Sequence, residues 1–473
     1  MSETISNPQI IQGGMGVGVS SWRLANAVAR AGQLGVVSGS MLDTVMVRRL
    51  QDGDPGGHVR RAAEHFPVPE IAEQIIRKYY RALGRRPGTP YQLLPMYRRR
   101  VSAARQQVTV FANFVEVWLA KEGHSAPVGV NLLTKVQLPN LASLYGAMLA
   151  GVDYVIMGAG IPREIPAVLD AFAEHRPARL RFDVDGDKSE AADYLEFDPG
   201  EHWSPVTPLR RPRFLGVVSA ASLAVTLARK ATGHVDGFIV EGPTAGGHNA
   251  PPRGQLRLNE RGEPLYGDRD VVNLADMRAI GAPFWLAGGM GSPASLRYAL
   301  SEGAAGIQVG TLFAYADESG IEEHIKERVL DSVCSGTVAI KTDPRASPTG
   351  FPFKVVSYAE VVGVPSPERA RNCDLGYLRI AARTANGLVY RCAAEPVDDF
   401  VAKGGDPAET IGRQCLCNGL TATIGLAQSR EAGIDEPPLI TSGDALLSLD
   451  RFLGNRRSYR AVDVLDYLLG PTE

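Results

Sequence analysis

The sequence predicts an α/β chain built as a (β/α)8 barrel, with a helical insertion and a mostly helical C-terminal cap. Three observations carry this. Eight short apolar runs between Pro8 and Val309 mostly alternate with segments of helical periodicity. The 51 glycines fall at the ends of apolar runs, where strand-to-helix turns need them, and not in low-complexity tracts. The stretch Pro283 to Thr311, PFWLAGGMGSPASLRYALSEGAAGIQVGT, supplies two consecutive buried strands, each ending in glycine.

In order, Pro8 to Gln12 is strand one. It runs into Gly13-Gly14-Met15-Gly16-Val17-Gly18, and Ser20 or Ser21 caps a helix that stops at Gly32. The spacing imitates a dinucleotide fingerprint, but the acidic residue expected about 20 positions on is replaced by Ser38-Gly39-Ser40, so that reading is rejected. Leu34 to Ser38 is strand two, and a helix follows from Leu42 to about Gln51. Residues 53–107 then turn polar and arginine-rich, broken by Pro67, Pro69, Pro87, Pro90 and Pro95, which marks a helical insertion. Its arginines, including Arg81, Arg85, Arg86, Arg98, Arg99 and Arg100, read as a solvated helical face before they read as a dock for an acidic partner. The run VTVFANFVEVWLAKEG suggests a strand and then a helix capped by Asn113.

Alternation resumes with Val128 to Leu132, Tyr154 to Met157 and Phe214 to Val218 as strands three to five. Between the last two, Arg179 to Val184 looks like another strand, and the polar stretch from Asp185 to Pro212 reads as a hairpin-like excursion. Gly237 to Val240 is strand six, Pro283 to Ala287 strand seven, and Gly306 to Val309 strand eight. These assignments give a barrel over 1–319, interrupted at about 53–107, and a mostly helical cap region over 320–473.

Composition bounds the function. The chain has 473 residues, 44% hydrophobic and 22% charged, with a net charge of -2, which makes nucleic acid an unsuited partner. No apolar stretch approaches a membrane span, and MSETISNPQI has no basic start or apolar core, so the chain reads as cytoplasmic. The five cysteines are odd in number and none precedes Cys334. Cys373, Cys392, Cys415 and Cys417 include one close CxC pair and no CxxC, so no metal site is assigned.

Chemistry concentrates at the strand ends. Gly288, Gly289, Gly310 and Thr311 end two neighbouring parallel strands, and bare main-chain N–H groups there suit a phosphate dianion. His248 stands in the loop after strand six, on the same face, where an imidazole can take or give a proton near neutral pH. Gly246 and Gly247 let the backbone approach a flat ligand. Asn131 either presents its amide to a heterocycle or caps its loop. Lys135 and Lys354 are candidate cations for an anionic ligand, with surface exposure the expected state of each.

As a set, IIQGGMG, VGVNLL, VEGPTAGGH, WLAGGMGSPASLRYAL and GIQVGTLF resemble the nitronate monooxygenase family, formerly 2-nitropropane dioxygenases. That resemblance implies an FMN-dependent barrel enzyme acting on a small molecule. It places Gly13, Gly14 and Met15 along the flavin, Asn131 in contact with it, and its phosphate on Gly288, Gly289, Gly310 and Thr311. His248 becomes the catalytic base. The insertion, and FPFKV, NCDLGYLR, YRCAAEP and CLCNGL further on, look more like the trans-acting enoyl reductases of polyketide and polyunsaturated fatty acid synthesis. Those imply NADPH, FMN and a possible acyl carrier protein.

Overall fold

In the computed structural model, residues 7–186, 192–203, 207–357, 369–385, 387–430 and 434–470 are described. The first four barrel strands are β1 (Ile10–Gln12), β2 (Gly35–Ser38), β3 (Val128–Leu133) and β4 (Tyr154–Gly158). The chain then leaves the barrel for β5 (Ala178–Phe182), β6 (Val184–Asp185) and β7 (Asp193–Phe197), and returns as β8 (Arg213–Val218), β9 (Gly237–Glu241), β10 (Phe284–Ala287) and β11 (Gly306–Val309). The eight barrel strands pair in the order β1-β11-β10-β9-β8-β4-β3-β2, all parallel. Leu34 closes the ring: its N–H donates to Ile10 O at 3.1 Å and its carbonyl accepts from Gln12 N at 2.9 Å. The predicted barrel is therefore the observed one, while the run read as a further strand, β5, leaves the barrel to pair antiparallel with β7 from within the expected excursion.

Because strand side chains alternate, the register fixes what faces the lumen. Ile11, Val36, Tyr154, Ile156, Leu215, Ile239 and Trp285 fill it as one buried cluster. Trp285, fully buried, donates its indole N–H to Pro8 O at 2.7 Å, so its one polar atom is satisfied. Two residues further along the same inward phase come Ser38, Asn131, Glu241 and Gln308, so polar groups roof an apolar lumen.

The insertion is helical, as expected, but its end differs. After α1 (Trp22–Arg30), α2 (Leu42–Gln51), α3 (His58–Ala63) and α4 (Pro69–Tyr79), a single 19-residue helix, α5 (Ala103–Lys121), replaces the anticipated strand and shorter helix. Ser102, not Asn113, is the N-cap, accepting from Arg105 N at 3.3 Å. Asn113 lies inside the helix and donates to Thr109 O at 2.9 Å. The β-branched run Val108-Thr109-Val110 imitated a strand, but α5 is buried on most sides against α1, α2 and α6 (Asn140–Leu149), so tertiary packing overrides local propensity. Gly146 permits the closest approach of α6, since a Cβ there would stand 2.1 Å from Val110 O. The six arginines expected on a helical face lie instead in the non-helical stretch between α4 and α5; all but Arg85 are exposed, Arg85 stacks on Tyr91, and Arg99 pairs with Asp193.

The C-terminal region carries helices, including Glu323–Cys334, Leu416–Thr423 and Ala461–Leu469, together with four strands missing from the sequence reading. β12 (Ile340–Asp343) pairs antiparallel with β13 (Phe353–Val356). β14 (Ile380–Thr384) and β15 (Gly387–Arg391) form a hairpin whose β14 also takes up β6. These strands are four or five residues long, too short for alternation to stand out from the loops around them. Among the described residues no helix is long and apolar enough to cross a membrane.

Candidate active site

One cavity opens at the C-terminal ends of the barrel strands, and all eleven residues singled out from sequence line it: Gly13, Gly14, Met15, Asn131, Gly246, Gly247, His248, Gly288, Gly289, Gly310 and Thr311. Close approach requires glycine at three of these positions, whereas a Cβ on Gly247 would meet nothing within 4 Å. A Cβ on Gly14 would stand 2.2 Å from Asn131 Cβ, on Gly246 2.8 Å from Gly443 N, and on Gly288 2.9 Å from Gly242 O. Gly288 and Gly289 also hold φ of +85° and +68°. Their N–H groups, and that of Gly310, donate to no main-chain acceptor among the described residues, so three donors remain for a group in the cavity. The cradle and its free donors fit a flat cofactor ending in a phosphate.

His248 is held from both sides. Its backbone bridges Phe353, with Lys354 N donating to Gly247 O and Asn249 N to Pro352 O, each at 2.9 Å. Its ring meets Phe353 edge-on at 4.9 Å, and Nε2 lies 2.7 Å from Ser347 Oγ. Nδ1 has no partner among the described residues and is not sealed off from the cavity. Burial, and then the nearby Lys135 ammonium, pull the imidazolium down to about 3, so His248 is neutral at ordinary pH.

Glu241 is the residue that sequence reasoning passed over. It ends β9 in the inward phase and lines the cavity, and its carboxyl forms no hydrogen bond or ion pair among the described residues. Burial alone pushes its carboxyl up to about 7. A signal existed: counting by two from apolar Ile239 reaches Glu241, as counting from Val36 reaches Ser38.

Lys135 and Lys354 depart from expectation. Lys354 is buried, donating to Thr342 Oγ1 at 2.8 Å and pairing with Asp444 at 2.6 Å. The Lys135 amine, half-buried, sits 3.2 Å from the Phe351 ring centroid and 3.3 Å from Thr349 Oγ1, and burial lowers it to about 7. Asn131 Nδ2 donates to Gly14 O at 3.4 Å, tying the end of β3 to the first glycine turn.

The far wall comes from the C-terminal region: Phe353, Tyr377, Leu378, Leu416, Cys417, Leu420 and Thr441 to Gly443 line the cavity. Gly443 N donates to Thr311 Oγ1 at 3.1 Å and Gly247 N to Thr441 Oγ1 at 2.9 Å, stitching this segment to two barrel loops. Cys373, Cys392, Cys415 and Cys417 come together around a small second cavity behind that wall. Among the described residues no group of three or more His, Cys, Asp or Glu is arranged to hold a metal ion.

Comparison with known proteins agrees with the motif resemblance. Residues 198–347 match the family model for nitronate monooxygenase. The chain is 31% identical over 166 residues, 34% of its length, to (3aS,4S,5R,7aS)-5-hydroxy-7a-methyl-1-oxo-octahydro-1H-indene-4-carboxyl-CoA dehydrogenase of Mycobacterium tuberculosis. It is 31% identical over 134 residues, 28% of its length, to a nitronate monooxygenase of Pseudomonas aeruginosa. The matches span 42% and 35% of those relatives' own lengths. The structure of FabK from Thermotoga maritima aligns over 98% of this chain and 92% of its own, with 15% identity and a TM-score of 0.46.

Proposed function

We propose that this chain is an FMN-dependent oxidoreductase that oxidises a small nitronate or nitroalkane with O2. The observation that carries the reading is an imidazole with one nitrogen not sealed off from a cavity that Gly288, Gly289 and Gly310 also line, their main-chain N–H groups without a main-chain acceptor among the described residues. Gly288, Gly289, Gly310 and Thr311 would hold the FMN phosphate, with Gly13 to Met15 and Asn131 beside the ring system. Bound there, FMN supplies the redox chemistry between substrate and dioxygen.

The protein's own part is proton management. His248 Nδ1 would take the proton from the carbon bearing the nitro group, and an anionic substrate would raise the imidazole toward protonation by its opposite charge. Below about pH 7 Glu241 is neutral and adds no repulsion toward a nitronate.

Glu241 also favours a second reading, reduction with NADPH of an α,β-unsaturated acyl thioester, free or held on an acyl carrier protein. A carboxyl still protonated near neutral pH is an acid available to an α-carbon. The relative acting on a carboxyl-CoA supports a thioester substrate.

Anaerobic mixing separates the two. Nitronate alone should bleach the flavin, and air should restore it with oxygen uptake. Bleaching by NADPH only, reversed by an enoyl thioester without oxygen, would install the second reading. His248→Ala should retain FMN and lose roughly 10²- to 10⁴-fold in turnover. Unchanged turnover would remove His248 from the mechanism.

A further inference from the structure

His248 does not stand alone in its loop. From Nε2 a continuous chain of hydrogen-bonding groups leads away from the cavity: Ser347 Oγ at 2.7 Å, Thr349 Oγ1 a further 2.7 Å on, and Lys135 Nζ 3.3 Å beyond that. Three separate segments meet to make it, the loops after β3 and β9 and the proline-rich loop between β12 and β13. Ser347 is fully buried. Among the described residues these two hydroxyls are the links, and each has one proton to give.

A run of such hydroxyls is directional. If one end is a donor that cannot accept, every link must donate the same way and the far end must accept. Protonated Lys135 is such a donor. It gives to Thr349, which gives to Ser347, which gives to Nε2 of His248. The ring proton must then sit on Nδ1, the nitrogen open to the cavity. Once Lys135 is neutral its nitrogen can accept, the chain can reverse, and Nε2–H becomes the donor to Ser347. Nδ1 then offers a lone pair to the cavity.

We propose that Lys135, acting through Thr349 and Ser347, sets which nitrogen of His248 carries the proton, and so whether the atom facing the substrate is an acid or a base. Lys135 is a positioning residue in this scheme. No bond to substrate is assigned to it, and no proton leaves His248 except by exchange along the chain.

The charge environment suits the role. Burial brings the amine near neutrality at about pH 7, while His248 itself stays uncharged far below that. The Lys135 ammonium lowers His248 across the chain, while burial accounts for the shift of Lys135 itself. Glu241 opens on the same cavity but is not among the groups that shift either one, and neither forms an ion pair with a carboxylate among the described residues. The Phe351 ring face supports the ammonium without fixing it in the charged state, as a carboxylate would.

The inference rests on the reading of His248 as the proton-transfer group, but its test does not use turnover. Full-length protein labelled with ¹⁵N-histidine reports the tautomer of each ring through two-bond ¹H–¹⁵N correlations, and His248→Gln identifies the signal. The wild type should hold His248 as Nδ1–H at about pH 5.5 and gain Nε2–H by about pH 8.5, a change of roughly tenfold or more in tautomer ratio. In Lys135→Met and in Ser347→Ala that pH response should vanish, with the other seven histidines reporting that each variant is folded. A wild-type tautomer that ignores pH, or a response that survives in either folded variant, overturns the proposal. If His248→Ala abolishes turnover while the tautomer ignores Lys135, the proton-transfer reading stands and this inference fails. If the tautomer follows Lys135 but turnover survives His248→Ala, the reverse holds.

Discussion

Replacing Gly288 by alanine tests the cradle most directly. The residue holds φ of +85°, and the added Cβ would meet Gly242 O at 2.9 Å, Thr244 Oγ1 at 3.1 Å and Ala245 N at 3.2 Å. Two of those three atoms are main chain, so no rotamer change relieves the contact. The left-handed backbone costs roughly 1–2 kcal/mol for a residue with a Cβ. Overpacking a closed site adds roughly 1–3 kcal/mol. Together these come to about 2–5 kcal/mol, borne by the turn whose N–H groups face the cavity. At about 1.4 kcal/mol per factor of ten, FMN binding to Gly288→Ala should weaken by roughly 30- to 3,000-fold. Titration of the apoprotein with FMN, followed by quenching of flavin fluorescence, measures this. Gly281→Ala is the control, since Gly281 has φ of +78° but nothing within 4 Å of its Cβ position and stops the helix Leu274–Ile280 away from the cavity. It should lose about 1 kcal/mol of stability and none of its FMN affinity. A Gly288→Ala protein with wild-type FMN affinity and melting temperature would refute the cradle argument.

Glu241→Gln should change stability in a pH-dependent way. The folded carboxyl is held near 7 against an unfolded value near 4.5, so wild type carries a penalty that is absent below about pH 4.5, grows through the interval and is complete above about 7. Chemical denaturation of the apoprotein should show the variant gaining up to about 3 kcal/mol over wild type at pH 8 and little at pH 4.5; an equal difference at both would count against a desolvated carboxyl. Asp43→Asn strikes a buried ion pair: Asp43 meets Arg105 at 2.8 Å, and both side chains are almost wholly buried. Burial works to raise the Asp43 carboxyl, but Arg105 and the hydroxyls of Tyr377 and Thr109 together bring it below the usual range. Its stabilisation is thus present above about pH 4 and is lost as pH falls through the folded value. The variant should be destabilised by about 3–5 kcal/mol at pH 7, and a melting curve matching wild type would be inconsistent with that.

Much of the candidate site was readable because its residues sit at strand ends. Gly288-Gly289 and Gly310-Thr311 follow apolar runs too short and too buried to be anything but barrel strands, and neighbouring parallel strands bring their ends together. His248 follows β9 on the same face for the same reason. What misled was local. The β-branched turn of α5 looked like a strand because a helix packed on most sides loses the one-sided periodicity that announces it. Lys135 and Lys354 looked exposed because nothing near them in sequence covers them. Lys354 meets Asp444, 90 positions on, and Lys135 meets Thr349, 214 positions on.

The sequence by itself determined the alternation of strands and helices, hence the barrel, and the glycine-edged face where His248 stands. Those features are written in short-range patterns, two-residue and 3.6-residue periods and the glycines that end them. Only the tertiary structure decided the rest. Register turns Glu241 inward, with no partner. Residues 441–443 close the wall, and Lys135 lies at the end of a hydroxyl chain leading to His248. The wall and the hydroxyl chain depend on contacts between segments about a hundred or more residues apart, the inward turn of Glu241 on pairing with strands tens of residues away, and all three on the burial those contacts create. No local pattern encodes that burial, because the groups excluding water from each residue lie elsewhere in the chain.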